Sequence, residues 1–143
     1  MQLVDKLLVL RKLSDLELYQ KQINEYSGLS LEEYDADWKT QRIVERTLQI
    51  MIEICIDIAH HIISDMNFRL PATYADTFKV LEENGIIEKQ LYASMEKMSK
   101  FRNIIVHQYE KINSEIVIAI LRKHLNDFEL FRNSIISFTK KAD

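Results

Sequence analysis

Residues 44–63 read Val44-Glu45-Arg46-Thr47-Leu48-Gln49-Ile50-Met51-Ile52-Glu53-Ile54-Cys55-Ile56-Asp57-Ile58-Ala59-His60-His61-Ile62-Ile63. Val44, Leu48, Met51, Ile52, Cys55, Ile58, Ala59, Ile62 and Ile63 recur at three- and four-residue intervals, which puts a wide apolar stripe along one side of a helix. Ile50, Ile54 and Ile56 add apolar surface on its other sides. A helix this apolar is expected to pack on two sides, one of them suited to a second subunit. The chain is therefore organised around a helix, and the question is what surrounds it.

Upstream, Ser30-Leu31-Glu32-Glu33 has the S-x-x-E form of a capping box. It predicts a helix from about Leu31 through Trp38 to Ser64, with a break near Asp35–Asp37. Before it, Leu3, Leu7, Leu10, Leu13 (or Ser14) and Leu18 predict a helix over about Val4 to Glu25. Tyr26-Ser27-Gly28-Leu29 ends that helix, with Gly28 at the C′ position.

Downstream, Asn67-Phe68-Arg69-Leu70-Pro71-Ala72-Thr73 reads as the main loop. Thr73 with Asp76 starts a short helix, and Asn84-Gly85 stops it after Glu83. Another helix begins near Ile87 and passes Leu91, Met95 and Met98. The last is expected from Ser114, as N-cap, to about Thr139. Its stripe is Ile116 (or Val117), Ile120, Leu121, His124, Leu125, Phe128, Phe131 and Ile135, and Lys140-Lys141 complement its C-terminal dipole. The sum is an all-α bundle of about five helices, in a single domain over residues 1–143.

Composition agrees. Two glycines and one proline in 143 residues leave few turns, which excludes a β-sandwich. A formal net charge of −3 argues against binding nucleic acid by bulk attraction, so an RNA substrate needs a local basic patch or an interface cleft. The single cysteine, Cys55, cannot form an intramolecular disulfide and reads as a small buried hydrophobe in a reducing compartment. The first residues lack a basic region followed by an apolar stretch, so no signal peptide is expected. No run approaches the ~18 apolar residues of a membrane span. The expected location is cytoplasmic.

The stretch that carries chemistry is Phe101-Arg102-Asn103-Ile104-Ile105-Val106-His107-Gln108-Tyr109, an R-x-x-x-x-H-x-Y pattern. A histidine moves protons near neutral pH, and an arginine fork binds a phosphate and stabilises charge that develops on it. Together they suit RNA cleavage without a metal. On an ideal helix five residues advance about 500°, so Arg102 and His107 sit about 140° apart. Asn103 and His107, at i and i+4, share a face, as do Arg102 and Tyr109. Three arrangements bring Arg102 and His107 together: the helix unwinds near His107, the Arg102 stem curls around, or two copies of the motif face each other across a two-fold axis. The third also doubles the local positive charge and is the favoured reading. Without wider context, an Arg and a His near a helix end commonly just bind the last carbonyls.

Wider context is present. The motif resembles the R-x-x-x-x-H signature of the HEPN superfamily, and with the tyrosine two residues on it is similar to the HepT branch. Arg42-Ile43-Val44-Glu45-Arg46-Thr47-Leu48-Gln49 and Ile56-Asp57-Ile58-Ala59-His60-His61-Ile62-Ile63 resemble that branch's central helix. Pro71-Ala72-Thr73-Tyr74, Phe78, Leu81 and Gly85-Ile86-Ile87 resemble its middle segment. The likeness spans roughly residues 40–110. It implies a HEPN-like bundle that dimerises, with both motifs lining a shared cleft. It implies a metal-independent endoribonuclease toxin with Arg102 and His107 catalytic and Asn103 and Tyr109 positioning substrate. The products would be a 2′,3′-cyclic phosphate and a 5′-hydroxyl. It implies an antitoxin partner, an MntA-type nucleotidyltransferase that transfers AMP to Tyr109, and a homodimer or a larger assembly with that antitoxin. It implies no cofactor. The alternative is a non-catalytic nucleotide-binding or docking module that accompanies a nucleotidyltransferase.

Other residues carry weaker signals. Arg42 and Arg46 read as surface ion-pairing residues that in a dimer flank the cleft and touch RNA phosphates. Asp57 orients a site residue or pairs with a neighbour in the core. His61 with Asp57 and Asp65 is a thin metal set and reads as a solvated face, so no metal is expected. No Gly-rich phosphate loop, Cys/His zinc spacing or G-x-S-x-G elbow is present.

Overall fold

The computed structural model describes residues 5–107 and 111–141. Seven helices follow one another: α1 (Lys6–Asn24), α2 (Leu31–Ala36), α3 (Trp38–Asp65), α4 (Tyr74–Glu83), α5 (Lys89–His107), α6 (Ser114–Lys123) and α7 (Leu125–Lys141). The described residues contain no strand, as an all-α fold requires. The count exceeds the expected five because two predicted helices are each divided.

The first division lies where a break was expected. Ser30 and Glu33 form the reciprocal capping box that starts α2. Asp37 then ends it in an extended conformation, and its carboxylate accepts from the Lys39 N–H at 3.0 Å and the Thr40 hydroxyl at 2.9 Å. One residue thus closes α2 and caps α3.

The second division, at His124, was not anticipated. Its backbone leaves the helical region, and its half-exposed ring pairs with Asp127 at 3.2 Å instead of joining the buried stripe. The bend has a packing reason: α6 leans on α2, while α7 lies against α1 and α5. A straight helix could not bury Val117, Ile120 and Leu121 on one neighbour and Phe128, Phe131 and Ile135 on the others. Ile116 is the exposed alternative to Val117. The N-cap is Asn113, not Ser114: the Asn113 side chain accepts from the Glu115 N–H, and the Ser114 hydroxyl donates to Asp35.

α3 is the axis. It packs against α1, α2, α4 and α5, and the whole predicted stripe is buried, with Ile56 joining it. The Cys55 thiol is fully buried, which pushes its pKa up. By length and composition α3 would pass as a membrane span, contrary to the sequence expectation, with an 18-residue window of mean hydropathy 1.3. Half of that window is covered by neighbouring helices.

Of the stripe predicted for α1, Leu13 is buried, but the inward face is otherwise a different one. Val9, Leu13, Leu16 and Ile23 are buried, whereas Leu7, Leu10 and Leu18 are exposed. Both sets have helical spacing, so periodicity alone did not choose between them. Gly28 is not a left-handed C′ residue. Among the described residues, the left-handed positions are Gly85 after α4 and Asn67 after α3. Each is followed by the paired return bonds of a Schellman motif: Ile86 N–H to the Leu81 carbonyl and Gly85 N–H to Glu82, and Phe68 N–H to Ile63 and Asn67 N–H to Ser64. Arg69 then binds both Asp76 and Glu83, which ties the loop between α3 and α4 to α4.

Candidate active site

Leu91, Met95, Met98, Ser99 and Phe101 anchor the inner face of α5. That choice of face leaves Asn103, Ile104 and His107 exposed in its last turns and Arg102 at the boundary. The Arg102 guanidinium is held from several directions. Its Nε donates to Glu53 Oε2 on α3 at 2.8 Å, the Tyr74 ring of α4 lies 4.9 Å from its Cζ, and its Nη1 donates to Asn103 Oδ1 at 3.2 Å. Gln49, one turn before Glu53 on α3, donates to the same Glu53 oxygen at 3.2 Å. His60 bonds the Thr77 hydroxyl at 3.1 Å and its ring lies 6.2 Å from that of Tyr74. Arg102 is therefore a fixed cation with its Nε satisfied by a carboxylate. Nη2 and the second Nη1 hydrogen have no partner among the described residues, so part of the fork is open to an anion.

α5 continues as a helix through His107. Arg102 and His107 do not meet by unwinding of α5 before that residue, and the Arg102 stem turns to Glu53 and Asn103. Asn103 matters here. It stands one turn before His107 on the same face of α5 and accepts from the guanidinium Nη1. The His107 ring is exposed, with no hydrogen-bond partner among the described residues. Tyr109 lies outside the described residues.

The chain direction is also fixed. Arg102 meets Glu53, while Lys111 and Ser114 meet Asp35 at the far end of the α2–α3 unit. The described chain thus touches the middle of α3 at Arg102 and the end that carries Arg42 and Arg46 at Lys111 and Ser114, and His107 stands between the two in sequence. Arg42 is exposed and pairs loosely with Glu45 at 3.6 Å. Arg46 is exposed with no ion pair among the described residues. Glu45 sits beneath Tyr34, and burial raises the pKa values of both.

Asp57 neither touches the site nor lies in the core. It is an exposed partner of Lys12 at 3.7 Å. Asp65 accepts from the Asp5 N–H, and no group of three metal-ligating side chains occurs among the described residues. A cavity of about 900 Å³ lies elsewhere, between the α4–α5 turn and the α6–α7 bend, with Gln90, Ser94, His124 and Asn133 in its walls. None of the described motif residues lines it.

Sequence reasoning missed Glu53, Gln49 and Tyr74. The signal for Glu53 was a lone carboxylate within an apolar helix, the same signal that drew attention to Asp57 one turn later. Nothing local marks Tyr74, because its role depends on how α4 folds back onto α5.

A helical scaffold with R-x-x-x-x-H closing an inward-packed helix defines a HEPN-type protein. The chain belongs to the ribonuclease HepT-like family, whose model matches residues 16–135. It is 33% identical over 124 residues to the mRNA nuclease HepT of Shewanella oneidensis, across 87% of this chain and 92% of that one. It is 25% identical over 135 residues to the tRNA nuclease HepT of Aphanizomenon flos-aquae, across 94% and 92%. The fold superimposes with a TM-score of 0.82 on a tri-AMPylated HEPN toxin of Shewanella oneidensis solved in complex with its MNT antitoxin, at 32% identity over 90% of this chain and 96% of that one.

Proposed function

We propose that this chain is the endoribonuclease toxin of a HepT–MntA type pair, cutting RNA without a metal through Arg102 and His107. The observation that carries the reading is the Arg102 geometry: a guanidinium pinned through Nε by Glu53 and across its face by Tyr74, with Nη1 on Asn103, which stands one turn before His107 on α5. Such a group binds the scissile phosphate and stabilises the extra charge as the phosphorus is attacked. The ribose 2′-oxygen forms the new bond to phosphorus, its proton passes to a base, and the bond to the 5′-oxygen breaks as that oxygen gains a proton. The products are a 2′,3′-cyclic phosphate and a 5′-hydroxyl. His107 serves as the base or as the acid. Its exposure leaves it free to reach a substrate in its own subunit or a second one.

Ile43 and Ile104 are exposed and Ile50 and Ile54 only half-buried, an apolar surface beside the motif that suits the second copy in a homodimer. Two copies paired there bring two arginines and two histidines into one cleft, which offsets the net charge of −3. Residues 1–143 act as one domain in the cytoplasm. Tyr109 positions RNA and takes AMP from the nucleotidyltransferase antitoxin. Each added nucleotide puts bulk and negative charge where a substrate phosphate must bind.

The test is cleavage of total cellular RNA in EDTA by protein confirmed by intact mass to be unmodified, with His107→Ala prepared in parallel. Cleavage by the wild type alone supports the reading. Absence of cleavage by both moves the protein to the docking-module reading.

A further inference from the structure

Counted at 100° per residue from Trp38, Arg42, Arg46, Gln49 and Glu53 fall at about 40°, 80°, 20° and 60° around α3. All lie within one arc of its outer face. Glu53 is the residue that grips Arg102, so this arc begins at the site. It ends about 22 Å away at Trp38, fifteen residues at about 1.5 Å each. That span takes several nucleotides, each needing at least ~3.4 Å along a stacked strand.

The far end is unusual for a soluble helix. Trp38 is 65% exposed, and the Lys39 ammonium lies 5.9 Å from its ring centroid. Between it and the site stand Arg42, 67% exposed, and Arg46. Of the nearby carboxylates, Asp37 caps α3 and Asp35 takes Ser114 and Lys111, while Glu45 takes Tyr34 and reaches Arg42 only loosely, at 3.6 Å. An exposed indole joined to a catalytic centre by a row of cations is the arrangement that binds single-stranded nucleic acid, with stacking on the ring and phosphates on the cations.

We infer that the N-terminal half of α3 is a track for single-stranded RNA leaving the cleavage site, and that an unpaired base of that strand stacks on Trp38. This rests on the RNase reading and adds a substrate class to it: unpaired RNA extending several nucleotides from the cut, along the N-terminal half of α3. A duplex cannot stack a base there without opening.

Trp38 is the only tryptophan of the chain, so its emission reports the contact directly. The experiment titrates unmodified full-length protein with uridylate oligomers carrying 2′-O-methyl groups, which block cleavage. A dye-labelled 12-mer gives affinity by anisotropy, and indole emission gives stacking. The expected result is saturable quenching by the 12-mer with the same midpoint as the anisotropy, and no quenching by uridine monophosphate. Trp38→Phe should bind within about 2-fold of wild type. Trp38→Ala should bind about 10-fold more weakly, the lower part of the range for one base–aromatic stack; its exposure means that the fold survives, which circular dichroism checks. Binding of the 12-mer with unchanged indole emission, or equal affinity in Trp38→Ala, overturns the track and leaves the RNase reading standing. Absence of 12-mer binding overturns the track as well, and if total RNA also survives the unmodified protein, the RNase reading falls with it.

Discussion

Glu53→Ala removes the carboxylate that fixes Arg102, and its effect can be worked from the geometry. The bond is charge-assisted, 2.8 Å long, and joins side chains only 16% and 34% exposed. Such bonds contribute ~1.5–3 kcal/mol, and partial exposure of Glu53 reduces this to about 1–2 kcal/mol. The same amount favours the held arginine orientation over swung-out ones, so its population falls roughly 5–30-fold without Glu53. If the held orientation is the one that meets the phosphate during reaction, kcat falls by that factor while KM changes little. Glu53→Gln, which keeps an acceptor but loses the charge, should lie between wild type and Glu53→Ala. Arg102→Ala removes the stabilising group itself and should cost ~10²–10³ in kcat. Glu53→Ala placed on Arg102→Ala should then cost nothing more, because Glu53 acts only through Arg102. The assay is single-turnover cleavage of a short RNA in EDTA, with thermal melts of each variant. An increase in rate for Glu53→Ala would mean that Glu53 is a latch that masks Arg102. Additive losses in the double variant would also refute the positioning argument.

The other predictions are simpler. Arg102→Lys should lose cleavage while keeping its melting temperature within a few degrees, since an ammonium cannot both hold Glu53 and present a fork; near-wild-type RNA cleavage would contradict this. Gly85, at φ 72, should lose about 1–2 kcal/mol of stability on change to Ala, while Gly28→Ala, with open space around it and no positive φ, should be neutral or stabilising in urea melts. Asp76, whose pKa is held down to about 2 by Arg69 and the Ala72 N–H, contributes stability above its unfolded pKa of ~3.9 that is lost as pH falls towards 2. The stability gap between wild type and Asp76→Asn should therefore be flat from pH 5 to 7 and shrink below pH 4. Native protein should resist alkylation at Cys55, measured by intact mass, and react only when unfolded.

What the sequence made legible follows from how local each signal is. The stripe of α3, the capping box at Ser30 and the stop at Asn84-Gly85 are written within a few residues and appear as read. The inward face of α1 was legible only at Leu13, because two apolar faces have equal periodicity, and packing on α3 and α7 selects Val9, Leu16 and Ile23 beside it. The bend at His124 is likewise a demand of neighbours on either side, with no proline or glycine to mark it. The site divides in the same way. Arg102, Asn103 and His107 stand in one motif, whereas Glu53 comes from 49 residues earlier and Tyr74 from a separate helix. Partners at such separations are invisible to spacing arguments.

Glu53 and Gln49 stand on the same rod whose other side is Leu48, Met51, Ile52 and Cys55, all fully buried. The groups that aim Arg102 thus have no hinge between them and the core, and α3 cannot shift by a fraction of a turn without expelling several packed side chains. Warming should leave the geometry of the site intact until the core itself gives way. The rate should climb smoothly with temperature and stop abruptly at the global melt, with no plateau of folded but inactive molecules beneath it.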